Sequence, residues 1–341
     1  MLSIQLVQFV LGIAILLLLH ELGHFIAARL LNVEVDEFGI GFPPRAVKLF
    51  TFKGTLFSLN WIPLGGFVRP KGENDPSVPG GLAAASPWVR LGVLSAGPAM
   101  NLFIGIILGI FLFYSIGNPI ADKVVINYIE PGTPAQEANL SEGDLFIAVN
   151  GENIDSSQKL QELIIENLGK PTNFLLQRGD STIEVVITPR TEYPDNQGPI
   201  GVGITNPTTP VSIGTATIRG IGATFEQIRA LFLLPVRLLQ GQASPEEGRL
   251  LGYKGMFDIF RYLQSPLWFF MAISISLGIL NLFPIPALDG GRIVLTLPEI
   301  FFKKRIPTQY ENMIHMVGFT LLLFLLIYIN VQDFLNPIQL P

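Results

Sequence analysis

His20-Glu21-Leu22-Gly23-His24 interrupts an apolar run, with Leu11–Leu19 before it and Phe25-Ile26-Ala27-Ala28 after it. From Leu2 to Ala28 there is no Lys, Arg or Asp, and Glu21 is the only acidic residue. At helical spacing, residues i and i+4 share a face, so both imidazoles can address one ion while Glu21 sits beside it. Ionisable groups in hydrocarbon cost several kcal/mol unless they are paired or metal-bound. The stretch therefore predicts a zinc peptidase whose active site lies within a bilayer.

Composition agrees with a membrane protein. Of 341 residues, 49% are hydrophobic and 14% charged, with a mean hydropathy of +0.47. There is no basic patch for nucleic acid, and a net charge of −5 argues against one. With no cysteine, a metal here must be held by His and carboxylate. The N-terminal run is too long for a secretory signal and lacks a basic flank and a small-residue cleavage site.

Four segments approach the ~20 apolar residues needed to cross a bilayer: 3–31, 91–116, about 267–289 and 313–331. Ile228–Leu239, with Arg229, Pro235 and Arg237, reads as an amphipathic surface helix. Basic residues gather in two short loops: Arg45, Lys48, Lys53, Arg69 and Lys71 in the first, Arg292, Lys303, Lys304 and Arg305 in the second. This places both loops in the cytoplasm, with both termini and the long central region outside.

A catalytic zinc needs a third protein ligand at the depth of His20 and His24. Those histidines lie about 26–32 Å along a helix entering from outside, and Asp289 about 33 Å along the third span. Pro284 and Pro286 break that span, and unwound backbone at such depth is tolerated only where it lines protein or a watery cavity. A Pro-Gly loop outside the bilayer, with Asp289 in a solvated turn, is the second reading. His315 is the one further candidate ligand, set against a hydrogen-bonding role between helices.

Three motifs now stand together: His20-Glu21-Leu22-Gly23-His24, Ala96-Gly97-Pro98-Ala99-Met100-Asn101, and Asn281-x-x-Pro284-x-Pro286-x-Leu288-Asp289-Gly290. In order, spacing and topology they resemble the signature motifs of the site-2 protease family. These are intramembrane zinc metalloproteases, and their bacterial branch includes regulators of sigma factors. The resemblance implies one Zn²⁺ held by His20, His24 and Asp289, with Glu21 as general base. It implies that Asn101, Asn281, Pro284 and Pro286 help to position substrate. The substrates it implies are single-span membrane proteins such as anti-sigma factors, cut in the plasma (inner) membrane.

Residues 45–62 alternate around Lys53-Gly54 like a membrane-associated β-hairpin, able to hold an unwound substrate by strand addition. In the central region, Pro131-Gly132-x-Pro134-Ala135, Leu140-x-x-Gly143-Asp144 and Val149-Asn150-Gly151 resemble a circularly permuted PDZ domain, which implies a peptide ligand. Strands are expected near 124–129, 145–149, 182–188 and 200–204, with helices near 135–140 and 157–167.

The expected fold is a polytopic α-helical membrane protein of about four spans, with a cytoplasmic-side β-hairpin and an inserted α+β PDZ domain. Residues 1–121 form the first part of the membrane core, 122–205 the PDZ domain, 206–265 a connector and 266–341 the second part. Two other classes fit parts of the pattern. An inactive scaffold binding clients through its PDZ domain would not need Glu21 or Asp289. A zinc transporter would spread polar residues along several spans.

Overall fold

The computed structural model describes residues 2–194, 197–244, 247–263 and 265–338. Two compact units emerge, one from Met1–Leu112 with Ile213–Pro341 and the other from Phe113–Ser212.

The first unit opens with α1 (Leu2–Leu30), β1 (Val35–Phe52), β2 (Thr55–Pro70) and α2 (Pro87–Ile116). The paired region is longer than the expected 45–62 hairpin, because residues 37–40 pair on both edges. Phe38 faces Phe57 on one side and Val68 on the other. β2 doubles back through Gly65, at φ +69°, so that residues 66–70 form an outer strand. Glycine makes this possible and also hides it from an alternation pattern. A Cβ on Gly39 would lie 2.3 Å from the Phe67 ring. The buried Glu37 ties the layers together, accepting from Arg45 Nε (2.9 Å) and Ser58 Oγ (2.7 Å). Val47, Leu49, Phe50, Phe52 and Trp61 are exposed at the other end of the sheet, as a lipid-contacting surface would be.

The second unit comprises β3 (Asn118–Pro119), β4 (Val124–Ile129), α3 (Pro134–Glu137), β5 (Leu145–Val149), β6 (Glu152–Asn153), α4 (Ser157–Glu166), β7 (Thr172–Arg178), β8 (Ser181–Ile187), β9 (Val202–Thr205) and β10 (Thr208–Thr209). Its main sheet runs β8-β7-β5-β4-β9, with β6 beside β5. The core packs Phe146, Phe174 and Leu176 under Leu160, Leu163 and Ile164 of α4. Asn150 and Gly151, at φ +49° and +84°, make the tight turn between β5 and β6. β7 was not anticipated, although Thr172, Phe174 and Leu176 alternate inward. β3 and β10 pair as a separate short ribbon where the chain enters and leaves the unit.

Asp144 is fully buried, accepting from Arg178 Nε and Nη2 (both 2.7 Å) and from Ser141 N (2.8 Å). Burial works against the charged carboxylate, but the Arg178 and Ser141 hydrogen bonds outweigh it and hold the Asp144 pKa below its ordinary value. A depressed folded pKa contributes stability that is present above the unfolded value and lost as pH falls through the folded one. Asp144→Asn is therefore expected to destabilise this unit by about 1–3 kcal/mol at pH 7. The difference from wild type should shrink only below roughly pH 4, the ordinary aspartate range. Urea denaturation of the isolated residues 113–212 at several pH values checks it.

The first unit resumes with α5 (Ile213–Leu239), α6 (Tyr253–Tyr262), α7 (Pro266–Leu282), α8 (Asp289–Phe302) and α9 (Thr308–Leu335). The expected surface helix at 228–239 forms the C-terminal part of α5, a 27-residue helix whose buried residues, Ala216, Gly220 and Thr224, lie nearer its N-terminus, while Phe232, Leu233, Val236 and Leu239 are exposed. Gly220 meets Gly109 of α2, where a Cβ would come within 2.9 Å of the Gly109 carbonyl carbon, and Gln227 donates to the Ala272 carbonyl of α7. Small residues allow this close approach between helices.

Among the described residues, three helices, α1, α2 and α9, are long and apolar enough to cross a membrane, against an expected four. The third expected span, 267–289, is cut short, since α7 has 17 residues and reaches about 26 Å. It stops at Leu282 because Phe283 precedes Pro284, which disfavours helical backbone. Residues 283–288 are non-helical, and Asp289 opens α8.

Candidate metal centre

α1 stacks His20 and His24 on one face, and the break after α7 brings Asp289 to them. His20 Nε2 lies 3.2 Å from His24 Nε2, and Asp289 Oδ2 lies 3.1 and 3.3 Å from the two. A tetrahedral ion with bonds of about 2.0–2.1 Å holds its ligands about 3.3–3.4 Å apart. The three donors therefore already stand at the separations such an ion imposes. Asp289 Oδ2 is buried with no hydrogen-bond donor directed at it, as a metal-binding oxygen would be.

The α1–α2 contact is built from missing side chains. A Cβ on Gly97 would fall 2.3 Å from His24 Nε2 and 2.8 Å from His20 Cε1, and one on Gly23 would fall 2.5 Å from the Ala96 carbonyl. Only glycine at 97 leaves room for both rings. On the other side, Gly290 and Gly291 fit beneath the 282–286 backbone, where Cβ atoms would lie 2.2 Å from the Phe283 carbonyl and 2.4 Å from that of Ile285.

The outer ring nitrogens are also occupied. His24 Nδ1 lies 2.8 Å from the Val93 carbonyl, so Nδ1 carries the proton and Nε2 is free to bind metal. His20 Nδ1 lies 3.1 Å from the carboxamide of Asn101, which is fully buried. With the amide nitrogen toward His20, Asn101 Oδ1 has no partner. Rotating the amide by half a turn gives Oδ1 the Nδ1–H of His20 and frees Nε2 for the metal. Ser274 Oγ anchors the Asn101 carbonyl at 2.8 Å. Asn101 thus lies behind His20 and does not line the cavity beside the metal donors.

Glu21 lies outside the donor triangle, and its Oε2 accepts from the Val68 N–H at 3.1 Å. A cavity of about 300 Å³ joins His20, Glu21, His24 and Asp289 to residues 66–68 of the outer strand. Arg292 and Glu73 also line it, paired with each other. Of the expected substrate residues, Asn281 lines this cavity, with its amide bonded to the Leu277 carbonyl. Pro284 and Pro286 do not line it; they shape the segment that carries Asp289. His315 lies outside the donor cluster. Sequence reading missed the Val93 carbonyl, the Val68 N–H and Ser274. No residue type marks the first two, since the backbone supplies them.

A family model described as peptidase family M50 matches residues 8–325. The chain belongs to peptidase family M50, the site-2 proteases. The candidate zinc metalloprotease CPE1693 of Clostridium perfringens is 32% identical to this M50 chain, over 96% of this chain and 98% of the relative. The candidate zinc metalloprotease Cj1068 of Campylobacter jejuni is 33% identical, over 97% and 93%. Among solved structures, the PDZ domain of the SdrC-like protein of Listeria monocytogenes is similar to 25% of this chain, covering 87% of its own, at 27% identity and a TM-score of 0.21. The M50 metal is zinc, and the donor set of His20, His24 and Asp289 suits it.

Proposed function

We propose that this M50 chain is an intramembrane zinc endopeptidase that hydrolyses peptide bonds within single-span membrane proteins, anti-sigma factors among them. The observation that carries the reading is the donor triangle, two of whose members lie on the apolar helix α1, with the Glu21 carboxylate beside it in the same cavity. Zinc, when bound, acidifies water and polarises the scissile carbonyl. Asp289 belongs to the donor set and Glu73 is paired with Arg292, so Glu21 is the carboxylate left to act as base. The Val68 N–H holds its Oε2, which leaves Oε1 to take a proton from the attacking water and pass it to the departing amine.

A helical substrate must unwind before its amides can be attacked. The outer strand at 66–70 runs along the cavity, and we propose that it takes the unwound segment as an added strand. In the inserted unit, β9 is an edge strand, and Leu160, Ile164, Ile200, Val202 and Ile204 line an apolar groove between it and α4. This supports a PDZ-like reading, with a peptide added alongside β9.

The test is cleavage of a single-span substrate in liposomes. The products should place the cut inside the transmembrane segment; a chelator should abolish cleavage and zinc restore it. Cuts confined to soluble regions would overturn the intramembrane reading.

The proposed topology has α7 completing a fourth crossing together with residues 283–288, and both termini and the inserted unit outside the cytoplasm. A cysteine at Asn150 should react with an impermeant thiol reagent from outside in intact cells, and one at Lys53 should not. No native cysteine confuses the result. The opposite pattern would reverse the orientation.

A further inference from the structure

The 283–288 segment is held from behind by α9. Gly318 sits against Pro286, where a Cβ would lie 2.3 Å from the proline Cβ. One turn earlier on the same face, His315 Nδ1 accepts the Ala287 N–H at 3.1 Å. Ala287 has φ +79°, a left-handed conformation that disfavours alanine and suits glycine. Ala287 is two residues from Asp289. Its own N–H has no helical partner, because the segment is unwound there.

We propose that His315 is a positioning residue for the metal centre: its hydrogen bond holds Ala287 in the left-handed conformation that aims Asp289 at His20 and His24. The inference rests on Asp289 being a zinc ligand. With Nδ1 accepting a backbone N–H, the ring proton sits on Nε2, and His315 lies outside the donor cluster, so the ring acts through the segment and not by binding the ion. Two devices on one face of α9, a close contact at Gly318 and an acceptor at His315, thus set the backbone on the ligand side of the break.

Variants of the full chain in detergent, competed for zinc against a chromophoric chelator, test this. The carboxamide oxygen of asparagine falls near the Nδ1 position, whereas that of glutamine reaches toward Nε2. His315→Asn should therefore hold zinc close to wild type. His315→Gln and His315→Leu should bind it about 10–100-fold more weakly, as expected when a supporting contact of a ligand is lost. Adding Ala287→Gly to His315→Leu should recover much of the loss, because glycine adopts the left-handed conformation unaided. With Co²⁺ in place of zinc, the visible spectrum should change in the Gln and Leu variants and be retained in the Asn variant.

Equal zinc affinity in the Asn and Gln variants would overturn the proposal, even if the Leu variant failed to fold. So would an Ala287→Gly change that recovers nothing, since a direct ligand or a packing residue would not be rescued this way. If wild type and Asp289→Ala bound zinc equally, the underlying ligand assignment would be at fault instead.

Discussion

Asp289→Ala is expected to leave the protein without zinc and without activity. Removing Asp289 takes away one of three protein donors and leaves two imidazoles facing each other at 3.2 Å with no carboxylate between them. The loss of zinc affinity should exceed the roughly 10–100-fold that follows from removing a mere supporting contact. His24→Ala should behave alike, and Asp289→Asn should fall between, since it keeps an oxygen but loses the charge. Metal content of purified protein after brief chelator exposure checks the series. Full zinc occupancy in Asp289→Ala would mean that another residue supplies the third donor.

Glu21→Gln should separate chemistry from metal binding. Glu21 is adjacent in sequence to His20, but its carboxylate faces Val68 and lies outside the donor cluster. Glutamine preserves the contact with the Val68 N–H and cannot take a proton from water. Cleavage should fall about 10²–10⁴-fold, the usual contribution of a positioned base. Zinc content should stay at the wild-type level. If it fell as far as in His24→Ala, Glu21 would be a ligand and the division of roles proposed here would fail.

The two histidines and Glu21 were legible because helical spacing is local: four residues suffice to put both rings on one face. Helical arithmetic put Asp289 at the depth of the histidines but left a solvated turn as a second reading, and its place as a ligand came from the resemblance of the motif around it. Its place in the structure has a different physical basis, since the chain unwinds at Phe283 and α8 begins at Asp289. Pro284 and Pro286 signalled the break but not its path. The contact of Asn101 with His20 spans 81 residues, and no periodicity reports it. The sheet was under-read because Gly39, Gly41, Gly65 and Gly66 interrupt alternation where the chain doubles back. β7 was legible in principle, since Thr172, Phe174 and Leu176 alternate and Gly179-Asp180 follows them. In α5, the apolar signal was confined to 228–239, because the first half is rich in Gly, Ala and Thr, and no hydrophobic run reports the burial of Ala216, Gly220 and Thr224.

The ribbon of β3 and β10 has an architectural consequence. Asn118 pairs with Thr209 and Pro119 with Thr208, and Asn206 Nδ2 donates to the Lys123 carbonyl at 2.7 Å. Entry and exit strands are thus fastened side by side, about 5 Å apart as in any antiparallel pair. To the rest of the chain, some 90 residues then amount to a loop with a fixed, narrow base. Such a base requires only that a unit's own ends meet, which is how a separately packed fold can be set into the chain between 113 and 212.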